Sequence, residues 1–359
     1  MKKQLLGIAA VCLAGFTFAQ DAPLWMRHSV ISPDGTTIAF TYKGDIYTVP
    51  VAGGRAMQIT TNPAYDTAPV WSPDSKRIAF ASDRMGSLDV YIVAKDGGEP
   101  RRLTTHSGSE TPLAFTDAGH VLFSAGIMPS AEAVVFPSNG QFNQVYRVSV
   151  EGGRPTMISS MPMECISINK EGAMLYQDKK GYEDYWRKHH VSPIARDIWM
   201  YTPGKEPQYR QLTTFGGEDR EPVWAPDGKT FYYLSEENGS FNIYRRTPGD
   251  AKAVQLTHYT KNPVRYLSAA TDGRLCYGFD GEIYTLLPGG EAQKVNISIV
   301  SDRNDKDIIR QIKSSGATEM AVSPDGKEVA FVLRGDVYVT SVEYKTTKQI
   351  TNTPCQERT

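Results

Sequence analysis

Ser32-Pro33-Asp34-Gly35-Thr36-Thr37-Ile38-Ala39-Phe40 is a tight turn followed at once by a short β-prone run. Pro presets φ at the second turn position, Asp bonds its own backbone, and Gly accepts a positive φ at the last. The unit returns as Ser72-Pro73-Asp74-Ser75, Thr116-Asp117-Ala118-Gly119, Asn169-Lys170-Glu171-Gly172, Ala225-Pro226-Asp227-Gly228, Thr271-Asp272-Gly273 and Ser323-Pro324-Asp325-Gly326. Measured at the last turn residue, the spacings are 40, 44, 53, 56, 45 and 53. A recurrence on that scale marks a propeller or solenoid array.

The residues around each turn say which. Compact runs follow it, among them Ile78-Ala79-Phe80, Phe231-Tyr232-Tyr233 and Val329-Ala330-Phe331. Next comes an Ile/Val-Tyr pair (Ile46-Tyr47, Val90-Tyr91, Val145-Tyr146, Ile243-Tyr244, Ile283-Tyr284, Val337-Tyr338) and then a Gly-rich turn such as Gly53-Gly54 or Gly97-Gly98. A closing strand ends in Ile59-Thr60, Leu103-Thr104, Leu212-Thr213, Leu256-Thr257 or Ile350-Thr351, and a strand such as Pro69-Val70-Trp71 opens the next unit. Four short strands per repeat, punctuated by Gly and Pro, make a propeller blade. The expected fold is all-β: a six-bladed β-propeller of four-stranded blades, followed by the first blade of a truncated second propeller.

That partition rests on one connector. After Ile297 the next opening strand starts near Thr318, and the charge-dense stretch Ser301 to Asp307 between them carries no blade signal. It reads as a domain boundary. The expected domains are a signal peptide at 1–19, a six-bladed propeller at 20–297, a linker at 298–317 and a first blade of the second propeller at 318–359. A single seven-bladed ring with one long loop is the alternative. Gln349-Ile350-Thr351-Asn352-Thr353-Pro354 echoes Gln58-Ile59-Thr60-Thr61-Asn62-Pro63, after which an opening strand follows; truncation of the second propeller is the expectation.

Hydrophobic content of 40 % over 359 residues suits one or two globular domains, and a net charge of −1 argues against nucleic acid and anionic membrane surfaces as partners. Lys2-Lys3 precede an apolar run from Leu5 to Ala19, and Thr17-Phe18-Ala19 suits signal-peptide cleavage. The run is too short to span a bilayer. Export to the periplasm or the extracellular space is expected. Cys165 and Cys276 fall in β-prone runs and read as buried thiols.

The repeats, of the form Trp-Ser-Pro-Asp-x-Lys-x-Ile-Ala-Phe…Asp-x-Tyr…Gly-Gly…Leu-Thr, resemble the WD40-like repeats of TolB and of tricorn proteases. Two stretches are more specific. Gly181-Tyr182-Glu183-Asp184-Tyr185-Trp186-Arg187-Lys188-His189-His190 with Arg196-Asp197-Ile198-Trp199, and Ser315 to Pro324, are similar to segments of exported tricorn-like serine proteases. The resemblance implies a parent protein that continues through a second propeller into a PDZ module and a serine peptidase core. Its catalytic residues would lie beyond Thr359, so none is assigned here.

The residues agree with that. There is no Gly-x-Ser-x-Gly elbow, no His-Glu-x-x-His and no Walker-type phosphate loop in the chain. No catalytic residue, metal ligand or cofactor is expected. His189 and His190 are adjacent and point apart on extended backbone, which disfavours a shared metal. The repeated turn aspartates Asp34, Asp74, Asp227 and Asp325 are accounted for by turn chemistry rather than by calcium.

Two insertions stand out. Residues 127–141 and 178–196 both interrupt a blade between its second and third strands, in consecutive blades, so both rise on the same face. The second carries Tyr182, Tyr185, Trp186, Arg187, His189, His190 and Arg196, a composition suited to recognition. These are the candidate contacts for peptides or neighbouring domains, the other reading being that the aromatics pack the loop onto the rim. Two functions remain open. One is the non-catalytic propeller portion of an exported tricorn-like protease, gating or positioning peptides for an absent peptidase core. The other is a stand-alone TolB-like interaction propeller of the cell envelope. Expected partners are peptides, the missing peptidase and second-propeller domains, and further copies of the chain.

Overall fold

The computed structural model describes residues 23–126, 143–181, 191–300, 315–344, 346–351 and 357. Among them every regular element is a β-strand, and seven four-stranded sheets form from consecutive strands. The chain divides into two compact units, one ending at Val300 and the other beginning at Ser301.

Six sheets make up the first unit. Their opening strands are Arg27–Ile31, Asp66–Trp71, Glu110–Asp117, Met163–Ile168, Asp219–Trp224 and Arg265–Ala269. Each opening strand packs against the opening strands before and after it, and the sixth packs against the first, so these six line the centre of a closed array. Closure is bonded as well as packed: Ile31 donates its N–H to the Ser268 hydroxyl at 3.1 Å across the buried seam. Ile31, Ile38 and Phe40 share one apolar cluster with Ala270, Cys276 and Ile283.

The repeated turn folds as its chemistry requires. The Ser72 hydroxyl donates to Asp74 Oδ1 at 2.5 Å, Lys76 N–H to the same oxygen at 3.1 Å, and Arg77 N–H to the Ser72 oxygen at 2.9 Å. The Ser72 bond holds the Asp74 carboxyl below its usual range. Gly35, Gly172, Gly228, Gly273 and Gly326 take φ between 65° and 88°. In the third sheet the strand runs on to Asp117, and Gly119 closes a tighter hairpin outside the left-handed region. Neighbouring turns are tied together: Asp34 N–H donates to the Ser75 hydroxyl at 3.1 Å, and Thr271 N–H to the Pro33 carbonyl at 2.9 Å.

The Ile/Val-Tyr pair divides its labour. Ile46, Val90, Ile243 and Ile283 are fully buried, as is Ile198 ahead of Trp199, while the tyrosine stacks across the strand pair on the Phe of the second strand, as Tyr47 does on Phe40 at 5.8 Å and Tyr91 on Phe80 at 5.9 Å. Full burial of each such side chain is worth about 1.5–3 kcal/mol. The closing Thr staples the blade. Its hydroxyl accepts the backbone N–H of the Ile or Val at 2.9 Å in Thr60–Ile46, Thr104–Val90, Thr213–Ile198 and Thr257–Ile243.

A device with no sequence signal completes the array. After the sixth sheet, Ile297–Ser298 pairs in parallel with Gly54–Arg55 of the first. Gly54 N–H donates to the Asn296 carbonyl at 2.8 Å and Ala56 N–H to the Ser298 carbonyl at 2.9 Å, while Ile297 and Ile299 enter the cluster at the closing seam. The expected linker from 298 therefore begins inside this clasp, and its first two residues belong to the ring.

The second unit holds the seventh sheet: Ala317–Val322, Glu328–Leu333, Asp336–Ser341 and Thr347–Gln349. It repeats the same turn and Thr staple, the latter as Thr351–Val337 at 2.8 Å. Its apolar side chains are covered less completely, Val332 being the one buried among those described. Met320 is 75 % exposed and Val322 60 %, and Phe331 and Val337 are half-buried where Phe40 and Ile46 are inaccessible.

Candidate functional site

Antiparallel order sends the Ser-Pro-Asp-Gly turns to one end of the six sheets. The sheet-to-sheet connectors and the connectors between second and third strands emerge at the other, here called the mouth. Both predicted insertions emerge there. The strands flanking them end at Ala125 and resume at Gln144, and end at Asp178 and resume at Ile198. Tyr182, Tyr185, Trp186, Arg187, His189 and His190 lie outside the described residues, as do 127–142. Of the seven candidate contacts, Arg196 alone is described.

Arg196 is only 5 % exposed. Its Nε meets Glu164 Oε2 at 3.2 Å and its Nη1 meets Glu218 Oε1 at 3.3 Å. Glu218 also takes Arg220 Nε at 2.7 Å, and Arg220 lies over the Phe241 ring at 5.2 Å. Burial opposes ionisation of Glu164, but Arg196, Lys179 and the Gln177 amide outweigh it and hold its carboxyl below the usual range. The stems of the connector are fixed by the same chemistry. Lys180 Nζ reaches the Ala195 carbonyl at 2.7 Å and Asp197 at 2.5 Å, and Asp197 N–H donates to Asp178 Oδ1 at 2.8 Å. Arg196 thus anchors the base of the insertion and is not itself a surface contact.

The opening strands share a second feature at the mouth. His28, Ala68, Cys165, Glu221 and Tyr266 all have left-handed φ between 50° and 59°, and the pairing with the second strand slips at each of these places. Such bulges re-aim side chains beside functional surfaces. Across the closing seam His28 packs on Tyr266 with ring centres 4.9 Å apart. Burial, then the charge of Arg27, lowers the His28 pKa to about 4, so the imidazole is neutral near pH 7. Glu221 ties two sheets, its Oε2 accepting the Leu267 N–H at 2.7 Å and its own N–H donating to Gln177 Oε1 at 3.0 Å.

Beside that seam lies a cavity of about 660 Å³. Leu24, Trp25, Met26 and Arg27 form one wall, Asn262, Pro263, Arg265 and Tyr266 a second, and the hairpin from Gly278 to Glu282 a third. Trp25 is 72 % exposed and held at φ 68°. Phe279 is braced by Tyr259, stacked 3.8 Å away. The acids of the outer rim are engaged, Asp280 by Asn262 at 2.9 Å and Glu282 by Lys294 at 2.5 Å. An aromatic-walled hollow lined by two arginines and two carboxylates fits binding. It contains no nucleophile poised beside a base, and among the described residues no group of His, Cys, Asp and Glu is placed to hold a metal ion.

Sequence reasoning missed this cavity, because Trp25 and Phe279 are 254 positions apart and meet only when the ring closes. The available signal was Trp25 itself, a large aromatic just ahead of the first strand and outside the repeat pattern. No helix among the described residues is long and apolar enough to cross a membrane.

Residues 23–292 match the family model described as the tricorn protease N-terminal β-propeller domain. Tricorn protease homolog 1 of Streptomyces coelicolor is 26 % identical over 289 residues, covering 79 % of this chain and 26 % of its own length. The tricorn protease of Thermoplasma acidophilum is 25 % identical over 333 residues, covering 89 % of this chain and 29 % of its own length. The chain thus spans under a third of the relatives it matches. A crystal structure of the tricorn protease superposes with a TM-score of 0.68 at 19 % identity, over 93 % of this chain and 32 % of that one.

Proposed function

The chain belongs to the tricorn protease N-terminal β-propeller family, and from that premise we propose that its ring holds peptide segments at the mouth and presents them to a serine peptidase unit of a longer, exported protein. The observation that carries the proposal is the cavity at the closing seam. Trp25, Tyr266 and Phe279 offer apolar surface for a side chain, and Arg27 and Arg265 stand beside it. Its volume suits one or two residues of an extended peptide. The stems of the insertion anchored by Arg196 leave the ring at the same mouth. On this reading the ring is a scaffold with a contact surface, and the peptide bond is cut by the peptidase unit. The basic start and apolar run from Leu5 to Ala19 support export.

Calorimetric titration of the full chain with unstructured peptides, with and without aromatic residues, tests this. Aromatic peptides should bind with Kd of roughly 10 μM to 1 mM, equivalent to about 4–7 kcal/mol. Trp25→Ala or Phe279→Ala should weaken binding about tenfold, and no peptide should be hydrolysed. Binding unchanged in both variants would remove the cavity from the account.

A further inference from the structure

A residue at or just ahead of the start of an opening strand donates its N–H to a carbonyl just ahead of the third strand of the preceding sheet. The bond occurs as Met26 to Gly281 at 3.1 Å across the closing seam, and then as Asp66 to Gly44 at 2.8 Å, Glu110 to Leu88 at 2.7 Å, Asp219 to Arg196 at 3.0 Å and Val264 to Phe241 at 3.0 Å. It brings the donor residue near the one that follows the acceptor. The closing seam has Met26 near Glu282; the four others have Asp66 near Asp45, Glu110 near Asp89, Asp219 near Asp197, and Val264 near Asn242. Three of these five seams thus bring two acids together at the buried base of the mouth.

Apart from the closing seam, the seams resolve this differently. At the first, Arg84 Nη2 reaches both oxygens of Asp66 at 3.1 Å, and the Gln58 amide donates to Asp45 at 3.0 Å. At the last, Asn242 is neutral and saturated: its amide donates to the Ser240 and Tyr259 carbonyls, and its oxygen accepts from Thr257 and from Tyr259 N–H. At the middle two the cation reaches the acid of the third strand and not the acid of the opening strand. Glu110 and Asp89 are both fully buried, and Arg102, 2.8 Å from Asp89 Oδ2, is the cation facing them. Neither oxygen of Glu110, nor Asp89 Oδ1, makes a well-formed hydrogen bond among the described residues, although the Thr104 hydroxyl and Asp89 lie close to Glu110. In the other pair Asp219 is 1 % exposed and Asp197 5 %. Lys180 and Gln211 bond Asp197 Oδ2, leaving Asp197 Oδ1 and Asp219 Oδ1 without partners.

We propose that these two seams are each closed by a carboxyl group sharing its proton with the neighbouring carboxylate, Glu110 with Asp89 and Asp219 with Asp197, and that the mouth loosens between these sheets when the protons are lost. One proton per pair supplies the missing donor and removes one of two like charges from a buried site. Asn242 shows the neutral arrangement built permanently into the chain.

Every charged neighbour bears on the outcome. Around Glu110, burial and Asp89 favour the protonated form, against Arg102 and the Thr104 hydroxyl, and its pKa rises to about 7. Around Asp219, burial leads, Asp197 and Glu237 add to it, Ser235 and Thr213 oppose it, and the pKa again rises to about 7. Tyr233 and Tyr244 also lie within range of Asp219. The folded chain therefore keeps two protons that the unfolded chain gives up near the ordinary values of 4.5 and 3.8. The seams are closed below about pH 6 and open as the pH passes through 7.

Hydrogen–deuterium exchange of the full chain at pH 5.5 and 8.5, corrected for intrinsic rates, tests this on fragments spanning 104–115, 213–224 and 60–71. Protection of the first two should fall at least about tenfold relative to the third, whose acid pair is held by Arg84. Glu110→Gln and Asp219→Asn should keep protection at both pH values. If a variant does not fold, infrared spectroscopy of the native chain serves, since protonated carboxyl C=O bands should persist at pH 6 and vanish by pH 9. Equal loss of protection in all three fragments, or no protonated-carboxyl band at pH 6, overturns the proposal.

Discussion

The carbonyl oxygen of Asn296 stands 2.5 Å from the place a side chain at Gly53 would occupy. Gly53 also has φ 85°, so the position excludes other residues twice over, by contact with backbone and by conformation. Asn296 opens the clasp with which the chain leaving the sixth sheet grips the first. Gly53→Ala should lower stability by about 2–4 kcal/mol in urea unfolding of the full chain. Gly97→Ala, at the corresponding turn of the second sheet with nothing near its Cβ, should cost only the conformational part, about 1–2 kcal/mol. Equal losses would mean that the clasp does not hold the ring.

Arg196 is the hinge pin of the ionic network under the second insertion. Arg196→Met takes one of two cations from the buried Glu218, which keeps Arg220, and from the half-buried Glu164, which keeps Lys179, and should cost about 1–3 kcal/mol. Adding Glu164→Gln should recover part of the loss, because Glu218 still pairs with Arg220. Denaturant midpoints of the single and double variants measure both effects. A single variant as stable as the parent would show that the network contributes nothing.

How much of this was legible follows from how local each feature is. The turns, the buried Ile or Val, the stacked Tyr and the stapling Thr all lie within one repeat, where a fixed period exposes them. The clasp is a pair of two-residue strands 243 positions apart, from Gly54 to Ile297, too short for any pattern. The acid pairs sit in between. Asp45, Asp89, Asp197 and Asp336 are visible as the Asp ahead of the Ile/Val-aromatic pair, but their partners Asp66, Glu110 and Asp219 announce themselves only through the seam hydrogen bond. Composition points the aromatic insertion to recognition, while its one described member, Arg196, is an anchor because two carboxylates, Glu164 and Glu218, meet its guanidinium.

Stability should be bell-shaped in pH. Glu110 and Asp219 have raised pKa values, so their contribution is full at acid pH and declines as the pH rises from about 4 towards 7. The turn carboxyls Asp74 and Asp325, held below the ordinary 3.8 by Ser72 and Ser323, act in the opposite sense, with stability lost as the pH falls below that value. Thermal midpoints should therefore peak at about pH 4 and decline on both sides. A midpoint that climbs steadily to pH 8 would contradict the assignment.

The seventh sheet should be the weak part. Phe331 and Val337 are half-buried, while Phe80 and Val90 at the same places in the second sheet are inaccessible. Side chains buried less completely contribute less to holding the sheet. Amides of Val329–Val332 should exchange at least tenfold faster than those of Ile78–Ala81, and limited proteolysis should cut within 317–351 before it cuts within 27–298. Matching exchange rates would show that the seventh sheet is stable by itself.

The central claim is that the mouth of the ring, at the seam where Trp25 meets Tyr266 and Phe279, takes peptide. A photoreactive phenylalanine analogue placed at position 25 tests it most directly, with the same analogue at Tyr209, which is exposed on the outer strand of the fourth sheet, as the comparison. Irradiation with an aromatic peptide should give adducts at position 25 that excess unlabelled peptide suppresses, and few at position 209. Equal, unsuppressed labelling at both positions, or none at position 25, would contradict the account.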